Sequence, residues 1–259
     1  MTMKTTLLIA VCILLTGNAL FAQSAHFITS GVIEFDKNVN MYALINKELA
    51  ENNDNIFAQK AFDQFKKTHT QIQILKSTLS FGNNKTLFVP APPPENAGNF
   101  FDVPMAQQNN TTYTDVSAST RISQKKVFEE TFLVKDSVSK IKWKITDETR
   151  DILGYACRRA NGLVQDSIYV VAFYTDEIPI VGGPESFTGL PGMILQVALP
   201  HESVSWVATK ITEAIVPVTT LIPPKKGKAV TGKEFRATLN GAMKDWGIYA
   251  RSYLKSLQL

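Results

Sequence analysis

The first third of the chain alternates between two spacings of apolar residues. Residues 28–39 place apolar side chains on one face at every second position, which predicts a strand. Over residues 41–67 apolar residues recur at helical spacing, interrupted by a polar stretch, which predicts a helical hairpin or a broken helix. Residues 70–90 return to strand character on both sides of Gly82-Asn83-Asn84, which predicts a β-hairpin.

The middle of the chain consists of short strand-like runs. From residue 112 to residue 215 turn signals recur about every ten residues. The run at 141–146 alternates strictly, as a strand with one solvated face does, and Asn161-Gly162 predicts the turn between two later strands. Strands do not alternate with helices as they do around a parallel sheet, so we expect an antiparallel meander.

The remaining segments complete the expected architecture. Residues 90–112 are rich in Pro, Asn and Gln and predict a surface loop, and residues 217–230 predict a linker. A capping-box pattern at Thr231 and an apolar stripe after it predict a C-terminal helix over 231–257. The fold class is therefore α+β: a single domain over 23–259, with a curved antiparallel sheet, the C-terminal helix packed on one face and an N-terminal helical insertion.

One segment between two predicted strands is unusually rich in glycine and proline. Residues 182–192 contain four glycines and two prolines, which together specify one irregular backbone path. The segment contains no His, Cys, Lys or Asp, so an architectural role or a recognition role is favoured over catalysis. The residues of this motif or recognition loop are Gly182, Gly183, Pro184, Gly189, Leu190, Pro191 and Gly192.

The first 22 residues have the pattern of an export signal. Lys4 supplies a positive charge, Leu7–Leu15 is an apolar run, and a less apolar tail ends at Ala22. The apolar run is too short to span a bilayer. We therefore expect an exported protein of the periplasm or the extracellular space. Cleavage after Ala22 leaves 237 residues (259 − 22) with a net charge of +3 (+4 − 1, for Lys4).

Reactive side chains are few. Histidine occurs only at His26, His69 and His201, and Cys157 is the one cysteine that remains after cleavage. No two histidines share an element at metal-binding spacing, and no phosphate-binding or serine-nucleophile motif is present. The sequence therefore indicates no catalytic residue, no metal site and no cofactor. The mild, dispersed positive charge argues against nucleic-acid binding, and no apolar stretch after residue 22 has the length of a membrane span.

Aromatic residues are frequent on or beside the predicted sheet. A sheet lined by aromatic rings can enclose an apolar ligand or a lipid tail, or the rings can form the core beneath the C-terminal helix. The candidates for lining a ligand are Trp143, Tyr155, Cys157, Phe173 and Tyr174.

The glycine- and proline-rich segment also resembles a family motif. Gly189–Leu195 is similar to the motif that defines the GLPGLI family, with Met193 where a second leucine is usual. Three further segments resemble family patterns, with Phe173 where tryptophan is expected: Trp143–Ile145, Ile152–Ala160 and Phe173–Ile180. The specific likeness covers about residues 140–200. The resemblance implies an exported bacterial protein with an envelope partner and no established biochemical role, and it offers no catalytic residue to carry over.

These observations lead to one expected function and two alternatives. We expect a non-catalytic envelope or periplasmic protein that binds an outer-membrane or periplasmic partner or an apolar ligand. The first alternative is a secreted hydrolase or thiol enzyme that uses Cys157 or His201, and the second is a periplasmic metal-binding protein. An open apolar cavity would favour a carrier, whereas a filled core would favour binding through the rim loops.

Overall fold

The computed structural model describes residues 26–51, 56–92, 103–107, 110–138, 140–165 and 167–259. The predicted export signal and most of the Pro- and Asn-rich loop lie outside these residues. The described part of the chain forms one mixed sheet of twelve strands with five α-helices, which confirms the α+β class.

The strands cover most of the described chain. They are β1 Ser30–Asn40, β2 Ile72–Gly82, β3 Lys85–Pro90, β4 Thr111–Asp115, β5 Thr120–Val127, β6 Glu130–Ser137, β7 Lys144–Ile152, β8 Tyr155–Val164, β9 Ile168–Thr175, β10 Met193–Leu199, β11 Val204–Glu213 and β12 Lys228–Thr231. Across the sheet the order is β12-β6-β5-β4-β3-β2-β1-β11-β10-β9-β8-β7. Neighbouring strands are antiparallel except β12 and β6, which are parallel.

The helices fall into an N-terminal pair, a short central helix and a C-terminal pair. They are α1 Met41–Glu51, α2 Ile56–Thr68, α3 Pro104–Gln107, α4 Gly232–Ala242 and α5 Ile248–Gln258. Two 3-10 turns lie at Pro200–Glu202 and Val218–Thr220. The helices α1 and α2 confirm the interrupted helical segment predicted over 41–67.

The two faces of the sheet differ in burial. In β1 the side chains of Ile33, Phe35 and Val39 are fully buried, whereas Glu34 is exposed and Asp36 half-buried. We call the face that carries Ile33, Phe35 and Val39 the inner face, and the face that carries Glu34 and Asp36 the outer face. A large apolar cluster joins the inner face to α1 and α2. A second cluster lies between β5, β6, α4 and α5, and its buried members are Val127, Phe132, Val134, Phe235, Leu239, Met243 and Leu257.

One predicted turn and one predicted helix cap are confirmed. The predicted hairpin is formed by β2 and β3, with Asn83 at φ 50° and Asn84 at φ 57°. Asparagine tolerates this left-handed conformation, and two such residues match the twist of the flanking strands. The capping box is also present: Glu234 N donates to Thr231 Oγ1 at 3.2 Å, and Thr231 N donates to Glu234 Oε2 at 2.8 Å.

The predicted turn at Asn161-Gly162 is wrong, since both residues lie inside β8. The chain turns instead at Leu153-Gly154 and around Gln165. A Cβ at Gly162 would come within 3.0 Å of the side chains of Ile141 and Trp143. The glycine serves close packing rather than a turn. The strand predicted over 141–146 begins only at Lys144 and runs to Ile152.

The C-terminal region differs from its prediction in two ways. The predicted single helix over 231–257 is two helices, and Gly247 at φ 57° precedes the second. The predicted linker over 217–230 contains most of β12. At Gly227, with φ 126°, an added Cβ would lie 2.9 Å from the backbone of β6, so glycine allows the approach that forms the parallel pair.

The described residues of the Pro- and Asn-rich stretch are not all at the surface. Its described residues include α3, where Met105 and Ala106 are buried beside the buried Val103. Ser256 Oγ of α5 donates to Pro104 O at 2.9 Å. This part of the predicted loop therefore packs inside the protein, because apolar residues follow the polar run.

Candidate functional site

The glycine- and proline-rich segment, residues 182–192, connects β9 to β10 and folds back into the protein. Its buried motif residues are Gly182, Gly183, Pro184, Leu190 and Gly192. Gly189 and Pro191 are exposed. Ile194 N donates to Gly182 O at 2.8 Å, which ties the end of the segment to its beginning. The segment is thus an interior element with a narrow exposed part.

Two glycines are required by close backbone contacts. Gly192 has φ 147°, and a Cβ there would lie 2.1 Å from Thr175 O. At Gly183 a Cβ would lie 2.8 Å from both Ile194 Cβ and Phe187 O. Neither position accepts a side chain without a backbone shift, so these glycines let two backbones approach each other.

Trp143 lies beside the exposed part of the segment. Its indole Nε1 donates to Thr188 O at 2.9 Å, and the side chain is half-buried. A Cβ on Gly189 would lie 3.5 Å from the same nitrogen. We call Gly189, Pro191 and Trp143 the tip. It combines exposed backbone, a proline ring and an indole whose orientation a hydrogen bond fixes.

The other four residues predicted to line a ligand belong to the packed core. Cys157, Phe173 and Tyr174 are buried, and Tyr155 is half-buried against the same cluster. The Arg150 guanidinium covers the Phe173 ring at 4.3 Å from its centroid. An apolar ligand at this place would have to displace packed side chains.

A buried cluster of charged and polar side chains, which the sequence patterns did not predict, adjoins the segment. Glu185 of the segment is 7% exposed, Lys37 of β1 4% and Lys125 of β5 6%. Asn110 Nδ2 donates to Glu185 Oε2 at 3.2 Å, and Lys37 Nζ lies 5.1 Å from the centroid of the Trp206 ring. We call these five residues the buried charged cluster.

Burial and mutual attraction act in opposite directions on these groups. Burial raises the pKa of the Glu185 carboxyl, while the charges of Lys37 and Lys125 oppose that rise. Burial lowers the pKa of Lys37, and Glu185 opposes the change. Burial, together with the charge of Arg121, lowers the pKa of Lys125 to about 8. Removing one charge from such a cluster leaves another without compensation, which is more costly than the intact cluster.

The sequence did contain a signal for the cluster. Lys37 shares its strand face with Ile33, Phe35 and Val39, so the period of two places it on the inner face. Glu185 is the one charged residue within 182–192. A charged side chain among apolar residues is expected either to be exposed or to have a buried interaction partner. Here the partners come from distant strands, and the sequence alone does not show which strands lie side by side.

The end of α5 closes over this region. Lys125 Nζ donates to Leu257 O at 3.0 Å, and Ser186 Oγ donates to Leu259 O at 2.7 Å. Leu257 and Leu259 are themselves buried. A cation at the C-terminal end of a helix is favourable because the free carbonyl groups carry partial negative charge.

The residues proposed for a thiol or hydrolytic enzyme do not meet. Cys157 Sγ donates to Tyr155 O at 3.5 Å, and burial, with Asp151 and Glu177 nearby, raises the pKa of the thiol to about 12. The His201 ring lies 6.1 Å from that of Tyr169, which pairs with Leu163 of β8. Leu163 is six residues beyond Cys157, or about 20 Å along the strand.

The other histidines have separate partners. His26 Nε2 lies 2.8 Å from Glu213 Oε2, and the His69 ring stacks on Phe65 at 4.2 Å between centroids. Within the residues that the structure describes, no group of three or more His, Cys, Asp or Glu side chains is arranged to hold a metal ion. No described helix has both the length and the apolar character that crossing a membrane requires.

Comparison with known families gives a match at the same segment. A family model described as "Protein of unknown function (Porph_ging)" matches residues 162–196. The matched range runs from β8 through β9 and the glycine- and proline-rich segment into β10. It covers much less than half of the chain. No curated protein matches the chain.

Two solved structures share the fold. They are structures of PNGF-II in the P21 and C2 space groups, each 15% identical to this chain, with TM-scores of 0.50 and 0.51. The alignments cover 81% and 80% of this chain but 33% and 32% of the PNGF-II chains. The chain thus spans about a third of the length of these proteins, and the likeness shows the fold alone.

Proposed function

We propose that the chain is an exported, non-catalytic protein of the periplasm or cell envelope that binds a protein partner through its tip. The observation that carries the proposal is how the glycine- and proline-rich segment is held. Its flanks are buried and joined by backbone hydrogen bonds, while Gly189 and Pro191 remain exposed beside Trp143. A surface fixed before binding loses little conformational entropy when a partner docks.

A protein partner is favoured over an apolar ligand because the aromatic residues of the sheet are packed. Phe173 and Tyr174 are buried in a continuous core, and the Arg150 guanidinium covers one of the rings. The resemblance to a family of exported proteins and the signal-like N-terminus support the envelope location.

Export is tested by determining the cellular fraction in which the protein is found and the mass of the protein. The full chain is expressed in its native host, and the periplasmic contents are released by osmotic shock. We expect the released protein to begin at Gln23, as read by intact mass and N-terminal peptide mapping. A protein that keeps residues 1–22 and stays with the cytoplasmic fraction would contradict the proposed location.

Partner binding is tested by photo-crosslinking in living cells. A photoreactive amino acid replaces Pro191 at the tip or, as a matched control, the exposed Lys135 of β6. We expect a discrete adduct from position 191 and none from 135. The Trp143→Phe variant, which cannot donate to Thr188 O, should weaken the adduct. Identical adduct patterns from both positions, or none from position 191, would overturn the proposal.

The thiol-enzyme alternative has its own test. In the mature chain Cys157 is the only cysteine, and its raised pKa leaves almost no thiolate at neutral pH. We expect no labelling by iodoacetamide at pH 8 in the folded protein and complete labelling in urea. Rapid labelling of the folded protein would favour a reactive thiol instead.

A further inference from the structure

A cleft of about 360 Å³ lies on the outer face of the sheet, across β11, β1, β2 and β3. Ala91 N donates to Lys76 O at 2.8 Å, so the residues after β3 run beside β2 and form a wall of the cleft. Val89, Pro90 and Pro92 give this wall an apolar surface. The volume is within the usual range for small-molecule sites.

A β-bulge shapes the opposite wall. Glu34 of β1 pairs with Lys210, whereas Phe35 pairs with Ala208, so Thr209 is an extra residue in β11. Its hydroxyl donates to Glu34 O at 3.3 Å, and the residue lines the cleft. Bulges commonly re-aim side chains at binding sites.

The charges in the cleft are of both signs. Lys210 Nζ lies 3.2 Å from Glu34 Oε1, so that carboxylate already has a cationic partner. Asp36 and Lys76 face each other in register on neighbouring strands, with Cβ atoms about 5 Å apart. In the described part of the chain, neither is joined to another charged side chain by an ion pair. The cleft therefore offers one carboxylate and one ammonium group side by side, next to an apolar wall.

This arrangement selects against ligands with a single charge. A simple cation would be repelled by Lys76, and a simple anion would be repelled by Asp36. A molecule that carries both charges close together satisfies both side chains at once. We propose that the cleft binds a small zwitterion, namely an apolar α-amino acid or a short apolar peptide. Asp36 accepts from its ammonium group, Lys76 donates to its carboxylate, and Val89, Pro90 and Pro92 contact its side chain.

The proposal goes beyond partner binding at the tip and shares no residue with it. Failure of the crosslinking experiment leaves the cleft untouched, and failure of ligand binding leaves the tip untouched.

Calorimetric titration of the mature chain tests the ligand class. The probes are L-leucine and leucyl-leucine, with N-acetyl-leucine lacking the ammonium group and leucinamide lacking the carboxylate. We expect at least one zwitterionic probe to bind and both capped compounds to bind at least about tenfold more weakly. Tighter binding of leucine identifies a free amino acid as the ligand, and tighter binding of leucyl-leucine identifies a peptide. Absence of binding by both zwitterions at about 10 mM, or equal binding of the capped compounds, would overturn the proposal.

Two variants locate the site. Asp36→Asn and Lys76→Gln should each weaken binding of the zwitterion at least about tenfold. Asp36→Asn should not weaken binding of N-acetyl-leucine and should strengthen it, because the substitution removes the carboxylate that repels this anion. Asp147→Asn and Lys135→Ala, which change exposed residues outside the cleft, are the controls, and thermal melting verifies that each variant is folded. Zwitterion binding that survives both cleft substitutions would contradict the assignment.

Discussion

At the residue scale, the conformation of the glycine- and proline-rich segment depends on single backbone positions. Gly192 combines a positive φ with a contact to Thr175 O that leaves no space for a Cβ. Exposed Gly241 in α4 has nothing within 4 Å of the position that a Cβ would occupy. Glycine is therefore required at position 192 but not at position 241, although the amino-acid composition does not distinguish the two residues.

Substitution by alanine should separate these roles. Gly192→Ala should lower the free energy of unfolding by about 3 kcal/mol or more, because the backbone must move. Gly241→Ala should raise it by about 0.5–1 kcal/mol, because alanine favours the helix. Urea unfolding followed by tryptophan fluorescence measures both. A Gly192→Ala protein as stable as wild type would show that the tight approach at this position is not present in solution.

The buried lysine on β5 gives a second prediction at this scale. In the folded chain the pKa of Lys125 is about 8, whereas its ordinary value is 10.5. Between these values the unfolded state binds more protons, so this group makes the free energy of unfolding rise with pH. Cys157, with a pKa raised from 9.0 to about 12, acts in the opposite direction above pH 9.

Comparing the pH dependence of stability of wild type with that of a variant separates the effect of Lys125 from that of other titrating groups. Relative to Lys125→Met, wild type should gain roughly 2–3 kcal/mol of stability between pH 8 and pH 10.5. The rise should begin near pH 8, because Lys125 loses its proton there in the folded chain. Lys126→Met, at the exposed neighbouring position, should follow wild type throughout. A wild-type minus Lys125→Met difference that does not change with pH would show that Lys125 is solvated.

At the element scale, α5 is held by polar contacts from distant parts of the chain. Glu202, in the 3-10 turn before β11, accepts from Lys255 of α5 at 2.5 Å and from Lys47 of α1 at 3.2 Å. Its side chain is nearly buried. Ser256 and Lys125 add the contacts described above. The turn therefore couples the N-terminal and C-terminal helices.

Loss of this charge should loosen α5 before the sheet unfolds. Glu202→Gln keeps the shape but weakens both ion pairs, and we expect amide exchange in α5 to accelerate about tenfold, with little change in β10. Asp245→Asn, at an exposed pair 3.9 Å from Lys244, is the control and should change neither. Unchanged exchange in α5 would mean that apolar packing alone holds the helix.

Two elements specified by local chemistry were predicted correctly. The Asn83-Asn84 hairpin and the Thr231 capping box depend on neighbours a few residues apart. The parallel strand β12 depends on β6, about a hundred residues earlier in the chain, and nothing within 217–230 indicates that pairing. The turn predicted at Gly162 was wrong because glycine permits both turns and close packing.

At the scale of the whole molecule, the segment and the buried charged cluster join two apolar clusters. Glu185 belongs to the segment between β9 and β10, while Lys125 lies over the Phe235 ring of the second cluster. The composition and strand periodicity sufficed for the α+β class. Strand periodicity places Lys37 on the inner face, but it does not indicate that Glu185 and Lys125 are buried near it, because that depends on how distant strands come together.

Hydrogen exchange of the mature chain, read by mass spectrometry over residues 182–195, tests the central claim most directly. If this segment is part of the core, the amides of Phe187, Met193 and Ile194 should exchange as slowly as that of Val197 in β10, since each donates to a backbone carbonyl. The amides of Lys225 and Lys226, which are exposed and make no hydrogen bond among the described residues, should exchange much faster. Exchange of residues 187–194 at the rate of Lys225 and Lys226 would contradict the account, because the tip would then have no rigid support.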